Sequence, residues 1–291
     1  MPILHTRLST LRSKYWPLIK SLQTGLLLMT GLAGYMSCRC PIFNLPELLQ
    51  VAASLFLAIS GSTVLNMWHD RDIDAKMDRT CLRPLPAGKV SPIEALCFGL
   101  IISILGIGWG LVIDPLFGVI VFAGLFFDVV VYTVWLKRRS AWSIIFGGVS
   151  GAMPILAGRT LGFGSIDWIG IVFALAILFW IPTHILTFSM KYYKDYQAAG
   201  IPTFPSTYGF KVTRIIIAVS SILAALAITS AAVGIGMDWG YLRLIGVLSI
   251  GLLGLAIAIS LKPSERVNFG LFKYASVFML GTMLMIVLDV L

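Results

Sequence analysis

Charge is scarce in this chain. Asp, Glu, Lys and Arg make up 12% of its 291 residues, where a soluble domain carries roughly 25%. A soluble fold of this length is therefore excluded, and the 58% of residues that are hydrophobic fall in long blocks. Acid is scarcer than base, 13 Asp and Glu against 22 Lys and Arg. Four cysteines, Cys38, Cys40, Cys81 and Cys97, provide no disulfide framework. Cys38-Arg39-Cys40 is expected on the outer side, where it can oxidise, and no His or second Cys pair on that side supports a metal site. The short alternating segments of a membrane β-barrel are missing, as is a signal-peptide pattern ahead of the first apolar block.

What remains is nine apolar blocks, near 17–37, 46–66, 93–113, 116–136, 141–160, 167–189, 212–233, 241–261 and 271–291. Each is close to the ~20 residues that a helix needs to cross the hydrocarbon. The chain reads as an all-α polytopic membrane protein of nine transmembrane helices, one domain over 1–291 with no soluble part. All but three of the 22 basic residues lie in, or at the edge of, the arm before the first block and the loops after the even-numbered ones; the exceptions are Arg39, Arg159 and Arg243. This bias predicts a cytoplasmic amino terminus and an outside carboxyl terminus. It also accounts for the net charge of +9 through membrane loops and anionic headgroups, which removes the case for nucleic acid.

Against this background one stretch stands out. Residues 66–80 read Asn-Met-Trp-His-Asp-Arg-Asp-Ile-Asp-Ala-Lys-Met-Asp-Arg-Thr, with Asp70, Asp72, Asp74 and Asp78 crowded at the end of an apolar span. Like charges this close repel, more so near a membrane. Positive charge must sit among them, and a divalent cation holding a diphosphate is the economical answer. Asn66, Asp70, Asp74 and Asp78 are four apart, a drift of about 40° per step, so they predict one face of a helix. Hard oxygen ligands of this kind suit Mg²⁺. The plainer reading is a solvated loop whose charges cancel locally. Asp72 is expected to pair with Arg71 or Lys76. Arg79 and Arg83, also four apart, either grip phosphate or are ordinary positive-inside charge.

Three further groups carry chemistry. Asp128, Tyr132 and Lys137 end the fourth block. An acid within an apolar span must face a cavity or a partner, Tyr132 can offer its ring face to a cation or belong to an interfacial belt, and Lys137 can neutralise diphosphate. His184, Lys191 and Asp195 lie seven and four apart and predict a shared helical face. Gly147, Gly148, Gly151 and Ala152 allow close helix contact or room for a flat ligand. The loops at about 67–92 and 190–211 both pass from charged residues into Gly and Pro, four blocks apart. That repetition predicts two loops meeting over one cavity, a layout transporters also use.

These residues resemble the intramembrane prenyltransferase superfamily typified by 4-hydroxybenzoate polyprenyltransferase. Asn66-Met67-x-x-Asp70-x-x-x-Asp74 matches its first acidic motif except at Met67. Within it the chain is most similar to the protoheme IX farnesyltransferase (haem O synthase) branch. The likeness is carried by Asp70-Arg71-Asp72-Ile73-Asp74 running into Arg79-Thr80-x-x-Arg83-Pro84-Leu85, by Tyr132-Thr133-x-x-Leu136-Lys137-Arg138-Arg139-Ser140, by Gly147-Gly148-x-x-Gly151-Ala152-x-Pro154, by His184, and by Lys194-Asp195-Tyr196-Gln197-Ala198-Ala199-Gly200-Ile201-Pro202. Lys191 stands where other branches place the first acid of a second motif, and Ser143 where this branch often has Asn.

The resemblance implies nine helices in a ring around a central, lipid-open cavity in a cell membrane. It implies a Mg²⁺-bridged prenyl diphosphate at the cytoplasmic mouth. Metal ligands are then expected among Asn66, Asp70, Asp74, Asp78 and Asp195, diphosphate contacts among Arg79, Arg83, Lys137, Lys191 and Lys194, and catalytic roles for Asp70, Asp74, Asp195, Tyr132, Lys137 and His184. The implied substrates are farnesyl diphosphate and haem B, and the implied partners are haem-handling or terminal-oxidase assembly proteins. A quinone precursor or glycerol lipid as acceptor, or a secondary transporter, are the competing expectations.

Overall fold

The computed structural model describes residues 14–38 and 44–291; Arg7, Arg12, Arg39 and Cys40, which entered the charge and cysteine readings, lie outside them. After a 3₁₀ turn at Trp16–Ile19 come α1 (Ser21–Met36), α2 (Leu45–Asp74), α3 (Pro92–Ile113), α4 (Pro115–Phe126) and a π-helical segment (Phe127–Leu136). The order continues with α5 (Ser143–Phe163), α6 (Trp168–Lys191), the short α7 (Tyr193–Ala198), α8 (Phe204–Gly234), α9 (Trp239–Leu261) and α10 (Glu265–Leu288). No strand forms among the described residues.

Local chemistry sets the helix starts. Asn44, Ser91, Asp114, Asp167, Thr203 and Ser264 each cap a helix by accepting a hydrogen bond from the backbone N–H three residues on. Such caps satisfy donors that the first turn leaves orphaned, at about 1 kcal/mol each. Pro92 and Pro115 occupy the first helical turn, where a missing N–H costs nothing.

Among the described residues, eight helices are long and apolar enough to cross a membrane. The first expected span differs. It divides at Lys20, whose backbone is left-handed (φ 44°), between the 3₁₀ turn and the 16 residues of α1. A helix of that length reaches only about 24 Å, short of the ~30 Å hydrocarbon. Side chains such as Val112, Val247, Ile250 and Leu261 are exposed, which water would punish and lipid does not. The helices neighbour one another in chain order and α10 returns to α1, closing the circuit.

Glycine contacts decide how tightly that circuit closes. A side chain on Gly158 would stand 2.0 Å from the Gly31 carbonyl oxygen, and one on Gly34 2.2 Å from that of Ile155. α1 and α5 therefore cross with backbones touching at the end remote from Asp70. Arg159 locks the same end. Its guanidinium is buried, 2.8 Å from Asp167 on the α6 cap and 2.7 Å from the Ser37 carbonyl. Pinched there, the helices leave a cavity of about 610 Å³ toward the acidic end. Gly148 and Gly151 serve packing as well, meeting Leu178 and Ile181 of α6.

Replacing Gly158 with Val should push α1 off α5 and destabilise the fold by about 1–3 kcal/mol, read as a lower midpoint of thermal unfolding in detergent. Gly25→Ala, where nothing lies within 4 Å, should leave the midpoint unchanged or slightly raised.

Candidate functional site

Two walls face each other across the cavity. The first is built on α2, whose 30 residues span about 45 Å and so outrun the hydrocarbon. Its last turns carry Asn66, Asp70 and Asp74, all buried, in the predicted i, i+4 register. Each meets a cation delivered by a different part of the chain. Lys20 donates to Asn66 Oδ1 at 3.1 Å, Lys137 binds Asp70, and Arg83 donates to Asp74 Oδ2 at 2.7 Å. Burial works against the Lys137 ammonium, yet Tyr132 and Asp70 more than offset it and push its pKa above the ordinary value.

The orientation of Asn66 is over-determined. Thr133 Oγ1 donates to the Asp128 carbonyl at 2.7 Å, so it is left to accept, and Asn66 Nδ2 donates to it at 2.8 Å. Lys20 has donors only. Both neighbours therefore turn the amide oxygen toward Lys20.

The π segment explains how Asp128, Tyr132 and Lys137 come to line the same cavity. In an α-helix, nine residues turn about 900°, which would leave Lys137 half a turn away from Asp128. Bonding five residues back, as in Lys137 N to Tyr132 O at 2.8 Å, makes each turn wider. Nine residues then complete about two turns, and the three side chains align. Asp128 is satisfied by the Ser62 hydroxyl, and Gly147 leaves room for the Tyr132 ring.

The second wall is aromatic. His184 lies between Trp180 and Phe272, with ring centroids 4.9 and 4.5 Å away and planes within 25°. The two motif loops do meet over the cavity: Ile73 and Met77 pack against Ala199, Ile201 and Tyr196, and Tyr196 lines the cavity.

Several expected site residues stand elsewhere. α2 ends at Asp74, where Thr80 Oγ1 takes the Asp74 carbonyl at 2.9 Å; the acidic stripe stops there, and Asp78 is exposed on the following turn. Arg83 turns inward while Arg79 stacks on the far wall, 4.8 Å from the Phe188 ring centroid. Asp72 pairs with Arg138 through both oxygens at 2.7 and 2.8 Å, not with Arg71 or Lys76. α6 ends at Lys191, and Tyr192 breaks the phase (φ −101°, ψ 31°). Asp195 consequently leaves the face that His184 and Lys191, seven apart on α6, still share, and neither Asp195 nor Lys191 nor Lys194 lines the cavity. Sequence reasoning missed Lys20, Ser62, Thr133, Trp180, Phe272 and Lys273. Lys20 had been counted only as loop charge, although its place at the edge of an apolar block was a usable signal.

Among the described residues no three of His, Cys, Asp and Glu converge as metal ligands. The donors present are one amide oxygen and two carboxylates, each already facing positive charge. That set fits a hard cation such as Mg²⁺, which keeps waters and takes one or two carboxylates plus phosphate oxygens.

A model of the UbiA prenyltransferase family matches residues 27–280. The chain is 45% identical over 206 residues to a protoheme IX farnesyltransferase of Korarchaeum cryptofilum, covering 71% of this chain and 69% of that one. To the protein of that name from Pyrobaculum arsenaticum it is 40% identical over 255 residues, covering 86% and 90%. Among solved structures, a digeranylgeranylglyceryl phosphate synthase superposes with a TM-score of 0.79 at 20% identity, covering 97% of this chain and 99% of that one. A UbiA homologue from Archaeoglobus fulgidus bound to GPP and Mg²⁺ does so with 0.65 at 16% identity, covering 94% and 99%.

Thr133→Val should free the Asn66 amide to turn and raise the Mg²⁺ concentration for half-maximal turnover by about tenfold, the worth of one hydrogen bond near charge. Thr133→Ser, which keeps the hydroxyl, should stay near the parent value in the same Mg²⁺ titration.

Proposed function

This chain belongs to the UbiA prenyltransferase family, and from that premise we propose that it transfers the farnesyl group of farnesyl diphosphate to a vinyl group of haem B, giving haem O. One observation carries the reading: a single cavity joins a buried wall of paired carboxylates and cations to a wall of parallel aromatic rings. The first wall suits a diphosphate and the second a flat macrocycle. The names borne by the relatives support the same pairing of substrates.

Asn66, Asp70 and Asp74 would hold Mg²⁺, which when bound neutralises diphosphate oxygens. Arg83, Lys137 and Lys20 are placed to turn from their protein partners to the diphosphate and to stabilise the charge growing on it. The allylic C–O bond breaks and its electron pair leaves with the diphosphate. Such preorganised charge acts strongly because the site is shielded from water. The isoprenoid tail lies among Leu55, Ala58, Val121, Met153 and Ile177, which line the apolar part of the cavity.

The π electrons of the vinyl group form the new bond to the allylic carbon, and the cation left beside the macrocycle takes hydroxide from water, whose proton is released. An electron-rich vinyl carbon needs no strong base. Tyr132 offers its ring face to the transient carbocation and already lies 5.6 Å from the Lys137 ammonium. The basic loops support a cytoplasmic position for the acidic end, where water-soluble diphosphate would leave.

Purified protein given haem B, farnesyl diphosphate and Mg²⁺ should yield the hydroxyethylfarnesyl product by mass spectrometry. Asp70→Asn should lower its rate at least about 100-fold and, by leaving the Lys137 ammonium without its counter-charge, also lower the midpoint of thermal unfolding. A product seen only with a quinone precursor or a glycerol lipid would refute the acceptor.

A further inference from the structure

Cations on the two walls are treated differently. On the acidic wall Arg83, Lys137 and Arg138 each hold a carboxylate. At the rim of the aromatic wall, Arg79, Lys191 and Lys273 make no ion pair among the described residues. They rest on rings instead. Arg79 is 4.8 Å from Phe188 and 5.3 Å from Tyr192, Lys191 is 3.2 Å from Phe269, and Lys273 is 4.7 Å from the same ring. A ring face attracts the charge but accepts few of its hydrogen bonds, and guanidinium and ammonium groups carry five and three donors. Most of those donors remain open to a ligand.

The rings beneath them run inward. Phe269 and Phe272 are stacked at 5.7 Å and 9°, and Phe272 continues into His184 and Trp180. Arg79 and Lys273 line the cavity together with Phe272, His184 and Trp180. Charge seeking an anion therefore stands at the outer end of a run of stacked apolar rings that leads into the cavity.

We propose that Arg79, Lys191 and Lys273 form an anion-binding rim of the acceptor subsite that takes the two carboxylates of haem B, with the macrocycle against Phe272, His184 and Trp180. The inference rests on the haem-acceptor reading above. Haem B carries its carboxylates on the edge opposite its vinyl groups. Binding them at the rim sends the vinyl edge inward, toward the space between the two walls. The rim would thus set which edge reacts, and it would disfavour flat acceptors without acid groups.

The test is a titration, followed by haem absorbance, of full-length protein in phosphatidylcholine nanodiscs, with haem B and its dimethyl ester against empty-nanodisc blanks. The parent should bind haem B at least about tenfold more tightly than the diester, the value of one charge-assisted contact. Lys191→Gln with Lys273→Gln should erase that preference, leave diester affinity and farnesyl diphosphate binding unchanged, and be rescued by Lys273→Arg. Equal binding of acid and diester by the parent would overturn the rim while leaving the haem reading intact. Failure to bind either, with farnesyl diphosphate still bound, would sink the haem reading itself. Weaker farnesyl diphosphate binding in the double variant would assign these cations to the donor. An effect confined to nanodiscs containing phosphatidylglycerol would assign them to lipid headgroups; either result overturns the proposal.

Discussion

At the mouth of the cavity three oxygen donors are each held against positive charge: Asn66 by Lys20, Asp70 by Lys137 with Arg138 at 4.0 Å, and Asp74 by Arg83. Buried charge is costly unless paired and hydrogen-bonded. The chain therefore cannot place these acids without also placing the cations, which arrive from the start of α1, the end of the π segment and the loop after α2. The pairing ties three distant segments to one point. It also leaves a set of cations that a diphosphate can recruit, because every partner they would release is an oxygen suited to a divalent ion.

The rest of the architecture serves that mouth. Touching backbones at Gly31, Gly34 and Gly158, with the buried Arg159–Asp167 pair, close the remote end. The helices can then part toward the acidic end. The π segment places Asp128, Tyr132 and Lys137 on one line, which an α-helix of the same sequence would not. The outcome is a cavity with chemically unlike walls, one ionic and one aromatic. Unlike walls suit a reaction that brings a charged leaving group and a flat apolar acceptor together.

Much of this was legible in the sequence. The apolar blocks, the Asn66–Asp70–Asp74 register and Arg83 could be read because regular helix periodicity and local charge density determine them. The stripe readings that failed share one cause, which is periodicity carried past a helix end. Asp78 lies beyond the last turn of α2, and Asp195 lies beyond the break at Tyr192. Arg79 and Arg83, four apart in the same stretch, are sent to opposite walls by the turn between them.

Hydropathy, cap residues and the spacing of acids by themselves determined a membrane helix bundle with a row of oxygen donors at one end, because each depends on neighbours within a few residues. Only the tertiary structure decided that Lys20 faces Asn66, that Thr133 orients that amide, that a π segment turns Lys137 inward, and that Trp180, His184 and Phe272 form one wall. These contacts join residues up to about 90 positions apart in the chain. They follow from how backbones approach across the cavity, and no local pattern encodes that distance.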